Sequence, residues 1–309
     1  MTRRIMKKQD GAALILTILV ISMLTVIVFD FFHSAWTQTA LASSYANDTK
    51  AFFAIRSGQA VARKVLMEDK RNNINRDSLD EEWAQGSIPL PIGNDYVFIS
   101  IKDEAGKFNI NSMTNARGYH QERRIAIFKR LLEHLKIDSN IADAIIDWLD
   151  PGSEPLPGGA EDGYYMTLKK PYRPKNSWID SIDELYMVKG MTYKIMKKLK
   201  PHITAWSAGR INVNTATKAV LMSLDDSMTE ELAKGVMLLR LTSPLNKTTD
   251  IKKVQGMAPI YPRIALDIAV KSDFYMVESS VTIGENSKSM KAVYKRKANN
   301  VKTLYRKIF

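Results

Sequence analysis

Residues 12–29, AALILTILVISMLTVIVF, hold no charge, no proline and no glycine. At about 1.5 Å of rise per residue such a helix is roughly 27 Å long, close to the hydrocarbon thickness of a bilayer. The helical pattern runs on, because no proline occurs between Met1 and Pro89 and Gly58 is the only glycine between Ala12 and Arg71. Tyr45, Phe52, Ile55, Gln59, Ala62 and Leu66 fall on one side at three- and four-residue steps. This predicts a membrane span that continues into an amphipathic helix packed on a globular domain, about sixty residues in all and far above the globular norm.

Alternation replaces helical spacing at 94–111, NDYVFISIKDEAGKFNIN, whose β-branched and aromatic residues break at Ala105-Gly106 and predict a hairpin. Strands return from Phe274, Ser289 and Val301, separated by the turn compositions ENSK and ANN. Between these groups, runs such as ERRIAIFKRLLEHL and ELAKGVMLLRL are helical in period. The simplest topology is a helical domain, 112–270, inserted into a helix-plus-sheet domain, so the fold class is α+β.

An internal repeat supports the insert. FNINSM, from Phe108, matches INVNTA, from Ile211, and DELYMVKGM, from Asp183, matches DIKKVQGM, from Asp250, with Gly190 opposite Gly256. In each copy an Asn-Ser/Thr pair sits where a helix N-cap belongs. The first copy carries an extra loop, DPGSEPLPGGAEDGYYMTLKKPYRPKNS.

Charge changes the picture at the ends. The net charge is +12, but Arg3, Arg4, Lys7 and Lys8 against Asp10 contribute +3 of it before Gly11. The chain beyond Glu285 carries eight basic residues and no acid. Those C-terminal lysines and arginines suit a membrane- or partner-binding face, or the solvated side of an edge hairpin, where lysine discourages unwanted pairing. Basic residues ahead of the apolar run keep that end cytoplasmic and send the rest of the chain outward. A cleaved secretory signal is the alternative, but Asp30, Phe31, Phe32 and His33 stand where small residues are expected. The absence of cysteine excludes disulfides, Cys-ligated zinc and thiol catalysis. His33, His120, His134 and His202 form neither an HExxH nor a GxSxG-partnered arrangement, and PGGAEDG lacks the Lys-Ser/Thr of a phosphate loop. No catalytic constellation is legible, and an enzyme is not expected.

The basic leader, Gly11 and apolar helix resemble the type IV pilin and type II secretion pseudopilin signal. The resemblance implies that a prepilin peptidase cuts after Gly11, that Ala12 becomes the N-methylated first residue, and that the apolar run stays as the shaft-forming helix. Asp10 departs from the more usual basic residue at that place. In most members of that class the fifth mature residue is a glutamate, and here it is Leu16. An amine at Ala12 is costly in hydrocarbon unless paired, and the glutamate of an incoming subunit supplies that pair. A subunit with Leu16 can offer its amine to a follower but cannot neutralise a predecessor, which suits it to go first.

The segment ADAIIDWLDPGSEPLPGGAEDGYYMTLKKPYRP, followed by SIDELYMVKGM, resembles the signature region of the minor pseudopilin K family of type II secretion. With the leader, Leu16, KFNIN and INVNTAT, the resemblance covers the mature chain. It implies a type IV pilin-like fold with a large inserted all-helical domain containing helix-hairpin-helix or SAM-like repeats. The divisions are then leader 1–11, transmembrane helix 12–32, pilin-like domain 33–111 and 271–309, and insert 112–270. The implied place is the tip of the periplasmic pseudopilus, single-pass in the inner membrane, with the I and J minor pseudopilins and then H and the major pseudopilin G.

Asp147, Asp150, Glu154, Glu161, Asp162 and Glu184 are hard oxygen donors, several of them in a loop tightened by Pro151, Pro155, Pro157, Gly158 and Gly159. Such density repels itself unless neutralised, and calcium accepts six to eight oxygens in flexible geometry. The family resemblance likewise implies calcium in the helical domain. Solvated loop acids and helix N-terminal charges are the alternative. INVNTATKAVLMSL and DIKKVQGM also resemble helix-hairpin-helix DNA-binding units. The second hairpin glycine is missing, however, in Gly190-Met191-Thr192 and Gly256-Met257-Ala258, and no nucleic-acid partner is expected.

Overall fold

A computed structural model describes residues 10–72, 75–297 and 300–309. Leader residues 1–9, and Ala298 and Asn299 of the expected final turn, lie outside the described residues.

Helix α1 (Asp10–Asn72) is continuous over 63 residues. Its first half exposes apolar side chains all round, Leu16 at 65% among them, and is long and apolar enough to cross a membrane. The hydroxyls of Thr17, Ser22 and Thr25 each donate to a carbonyl one turn back, so none needs water. From Ala51 onward one side is buried: Ala51, Ile55, Gln59, Ala62 and Leu66. Phe52 is half-buried and Tyr45 exposed, so the packed stripe begins later than its spacing predicts. Gly58 sets the closeness of approach, since a Cβ there would lie 2.8 Å from Val97 Cγ1.

The α1 stripe packs on a five-stranded antiparallel sheet. Its strands are β1 (Ser87–Ile92), β2 (Asp95–Asp103), β7 (Phe274–Ile283), β8 (Asn286–Lys297) and β9 (Asn300–Ile308), paired in that order. Inward residues alternate along each strand: Val97, Ile99 and Ile101 on β2, Tyr275 and Val277 on β7, Ala292 and Tyr294 on β8. Gln59 is a buried polar residue within this layer. Its amide nitrogen lies within hydrogen-bond reach of Val277 O, Met290 O and Ser279 Oγ, and its carbonyl accepts from Tyr294 OH.

The expected hairpin at 94–111 does not form. β2 pairs backwards with β1 instead, and Phe108–Asn109 leaves the sheet. β1 reads SIPLPI, and its two prolines hide a strand that is possible because it is an edge, where one row of amides has no ladder to join. Arg296, expected among solvated C-terminal bases, is buried at 1% exposure.

The chain leaves the sheet at Glu104 and returns at Phe274, and Glu104 N donates to Phe274 O. Between them, a second apolar core runs from Phe108 to Val270. It is built on short parallel pairs, β3 (Phe108–Asn109) with β4 (Ile203–Thr204) and β5 (Ile211–Asn212) with β6 (Ile268–Ala269). Helices α2 (Glu122–His134), α3 (Asn140–Leu149), α4 (Asp162–Tyr165) and α5 (Tyr193–Leu199) lie in the first copy, and α6 (Lys218–Met222), α7 (Glu230–Thr242) and α8 (Tyr261–Ile264) in the second. Each copy runs through a 3₁₀ turn (Ile182–Met187, Thr248–Lys253), a left-handed glycine (Gly190, φ 77°; Gly256, φ 89°) and a helix before its second strand.

Asn111 and Asn214 do not cap helices as their spacing predicts. Asn111 clamps the backbone of Ile179 at both N–H and C=O, and Asn214 does the same to Leu245. The side chain is spent on a distant buried loop, whose orphan polar groups would otherwise cost more than an exposed first turn.

Candidate functional site

Gly11, Ala12 and Leu16 lie on the exposed apolar helix, and among the described residues nothing beyond that helix's own backbone and the adjacent residues lies within 4 Å of where a Gly11 Cβ would be.

The acidic loop is ordered by its own carboxylates. Asp147 sits near the end of α3, 1% exposed, and its oxygens accept from Leu156 N at 3.3 and 3.1 Å. Asp150, the C-cap of α3, accepts from Gly152 N through Oδ1 and pairs with His120 Nε2 at 2.6 Å through Oδ2. Glu161 precedes α4 at 6% exposure, and its Oε1 is buried without a hydrogen-bond partner. Burial first, then Asp147, Asp150 and Asp162, push the Glu161 carboxyl up to about 7. Burial, with Asp150 and Asp143 adding to it, pushes Asp147 up to about 6, against the hydrogen bond from Leu156. Gly159 must remain glycine, because a Cβ there would collide with the Asp147 carboxylate.

None of the other expected donors is fully buried. Asp162 is half-buried beside Arg173 at 3.5 Å, and Glu154 is exposed. Glu184 is already used: Oε1 accepts from the Asp180 and Ser181 amides while Oε2 pairs with Lys175 at 2.9 Å. It completes a capping box with Ser181, a signature (Ser-x-x-Glu) present in the sequence, and so is not brought to the loop as a donor.

Sequence spacing missed three partners. Asp143 lies one turn before Asp147 and pairs with Lys129, His120 reaches Asp150 from another segment, and Lys189 Nζ donates to Gly159 O. Asp143 was legible as the preceding helical repeat of Asp147; the other two reach in from elsewhere in the chain.

The chemistry of Asp147, Asp150 and Glu161 fits a hard cation. They are buried acids with mutual repulsion and one lone oxygen unmatched. Among the described residues, the carboxylate trio whose oxygens all lie within 4.8 Å of one another is a different one, Asp69, Asp77 and Glu81. There the Arg296 guanidinium already bridges Asp69 and Asp77.

Two family models, both described as type II secretion system protein K, match residues 106–208 and 211–269, one on each copy of the insert and together more than half of the chain. A type II secretion system protein K from Aeromonas hydrophila is 26% identical over 98% of this chain and 97% of its own length. Another, from Pectobacterium carotovorum, is 25% identical over 90% of each. The fold resembles a chain in the GspK–GspI–GspJ complex of the enterotoxigenic Escherichia coli type 2 secretion system, with a TM-score of 0.73 at 19% identity, covering 87% of this chain and 99% of that one.

Proposed function

The chain belongs to the type II secretion system protein K family of minor pseudopilins, and from that premise we propose that it stands at the tip of the periplasmic pseudopilus. The observation that carries this reading is the bulk of the insert, which holds an apolar core of its own beside the sheet. A subunit this wide would obstruct neighbours above it in a tightly wound fibre, so it caps rather than continues. Leu16 points the same way, since it cannot neutralise the amine of a subunit ahead.

In this reading α1 anchors the protein in the inner membrane, with its leading end cytoplasmic and the remainder periplasmic. A prepilin peptidase cuts after Gly11, and Ala12 becomes the methylated first residue. The I and J minor pseudopilins are its immediate partners, on the analogy of the K–I–J complex that shares its fold. H and the major pseudopilin G follow below, and the assembled tip initiates the fibre used in export. The protein acts by geometry and assembly, not by a reaction of its own. The two insert copies are read as helix-hairpin-helix-like units turned to packing. Met191 and Met257 follow the glycines where a phosphate-binding hairpin needs a second glycine one step further on, so DNA binding is set aside.

Calcium is proposed at Asp147, Asp150 and Glu161, with Asp162 and Glu154 as the nearest further acids in the sequence. Bound there, it would supply positive charge to a buried acidic loop and hold the loop on α3. The chain's own contribution is the cradle: Gly159 leaves room for Asp147, His120 orients Asp150, and Lys189 fixes the Gly159 carbonyl.

Intact mass of the protein from membranes with and without prepilin peptidase tests the pathway. The expected species begins at Ala12 and carries one methyl group only when the peptidase is present. A full-length chain in both, or a cut beyond the apolar run, would leave an anchored or secreted protein outside the pilus pathway. Leu16→Glu tests the position. Immunogold labelling along the shaft is expected if the missing charge contributes, and labelling confined to the tip would assign the position to the insert alone.

A further inference from the structure

A trough lies against the insert between Trp206 and Trp178. It consists of two cavities, of about 320 and 400 Å³, that share Trp178 as a wall, with Trp206 lining the first of them. Each falls in the size range of small-ligand sites, roughly 300–1,000 Å³.

Both indole rings are fixed before any ligand arrives. Trp178 Nε1 donates to Thr114 Oγ1 at 3.2 Å, and the next residue, Ile179, is the one that Asn111 clamps at N–H and C=O. Trp206 Nε1 donates to Asp180 O at 2.9 Å, and its backbone N–H donates to Thr204 Oγ1 at 3.0 Å. With each indole N–H spent inside the protein, what the rings have left to offer is their apolar faces. Trp178 is 47% exposed and Trp206 half-buried.

The rest of the lining is polar and almost uncharged. Four Asn and Ser side chains line the first cavity and three the second. Among the described residues of the lining, Asp180 is the one acid, paired with Lys175 at 2.7 Å, and exposed Arg117 is the one base. Asn115 Oδ1 accepts from the Arg117 and Tyr119 amides, which leaves its NH₂ free to donate. Asn176 is held by its backbone, whose N–H donates to Trp148 O at 3.0 Å, and its side chain lines the second cavity beside Trp178. Charge does not recruit the occupant of such a site, so neither an acidic peptide nor a phosphate group matches it. A sugar ring does: the C–H bonds of its face cover an aromatic plate, and the hydroxyl and acetamido groups at its edge meet amides and hydroxyls.

We propose that the trough binds a glycan strand of the cell wall, seating N-acetylated sugars on Trp178 and Trp206. The choice of this glycan rests on the periplasmic placement proposed above. Arg117 in the second cavity supports it, because the peptide branches of such a strand carry carboxylates that a neutral oligosaccharide lacks. Contact there would steady the wide tip subunit against the wall that surrounds the fibre.

The test uses the full-length protein at fixed calcium in a detergent without a sugar headgroup. It is titrated calorimetrically with the β-1,4-linked tetramer of N-acetylglucosamine, and separately sedimented with purified cell-wall sacculi. Saturable binding of the tetramer and co-sedimentation with sacculi are expected. Trp178→Leu, at a position exposed enough to spare the fold, should weaken the tetramer roughly tenfold, the weight of one aromatic contact, while Trp178→Phe keeps a ring face and most of the affinity. Arg117→Gln should bind the tetramer as before and sediment less with sacculi. No saturable heat at millimolar tetramer, or Trp178→Leu binding as the unsubstituted protein does, would overturn the site. Tetramer binding without co-sedimentation would overturn the cell-wall strand as its occupant. Neither readout involves the peptidase or export, so a chain found uncut by intact mass would sink the tip reading and leave the measured glycan binding standing.

Discussion

Arg296→Met is expected to remove about 3–5 kcal/mol of stability, the range for breaking one side of a buried ion pair. A typical domain has only about 5–15 kcal/mol in total, so the helix-and-sheet domain would be close to unfolding at ambient temperature. The cause is what stays behind. Asp77 would lie buried beside Glu81 and Asp103 with its cation gone, and Ser272 O would lose a donor. Methionine replaces some of the packing over the Tyr275 ring, where the guanidinium carbon stands 4.7 Å from the centroid, but none of the charge. Arg296→Lys should fall between, because one ammonium cannot make the fork that spans Asp69 and Asp77. Urea midpoints at neutral and acid pH would read both effects, and the deficit of Arg296→Met should shrink on acidification as the stranded acids take up protons. A loss below about 1 kcal/mol would place the pair among exposed bridges in energetic terms and contradict its burial.

That cluster is the part of the molecule least visible in the sequence. Asp77, Asp103, Asn212, Ser272 and Arg296 are isolated polar residues in five different elements or loops, with no spacing to link them. Only the folded path, leaving at Glu104 and returning at Phe274, brings them together. Arg296 was further disguised by its neighbours. In a run of lysines a single arginine reads as surface charge, although strand alternation puts it on the same inward row as Ala292 and Tyr294. The row held the information, and composition overrode it.

Elsewhere the physics was local and therefore legible. α1 needed only a long stretch without helix breakers and a stripe that turns polar-faced after the membrane. The repeat announced itself because the left-handed backbone at Gly190 and Gly256 admits few other residues, and because the buried loops that Asn111 and Asn214 clamp require an amide offering both donor and acceptor. β1 was missed for the converse reason. Proline is penalised in a strand by a rule about central strands, and nothing in SIPLPI says that it will be an edge. In the acidic loop, the residue type was legible and the geometry was not. Asp147, Asp150 and Glu161 are buried while Glu184, equally acidic, is consumed by a cap.

Calcium is expected to raise the melting temperature of the full-length protein, and chelator to lower it again. A ligand that binds only the folded loop stabilises by the logarithm of its saturation, about 2.7 kcal/mol at a hundredfold excess over its dissociation constant. The substitution that separates a cation site from mere acidity is Glu161→Gln. In chelator it should stabilise, since it removes the buried charge that Asp147 and Asp150 repel and gives the lone Oε1 position a neutral group. In calcium it should destabilise relative to the unsubstituted protein, since a charged ligand is lost. The two melting curves therefore exchange order between conditions. Asp147→Asn should flatten the calcium response as well but gain less in chelator, because its oxygens accept from the Leu156 amide and half of that capacity becomes a donor. Identical melting of the unsubstituted protein in calcium and in chelator would remove the cation from the loop and leave its acids as a strained cap on α3.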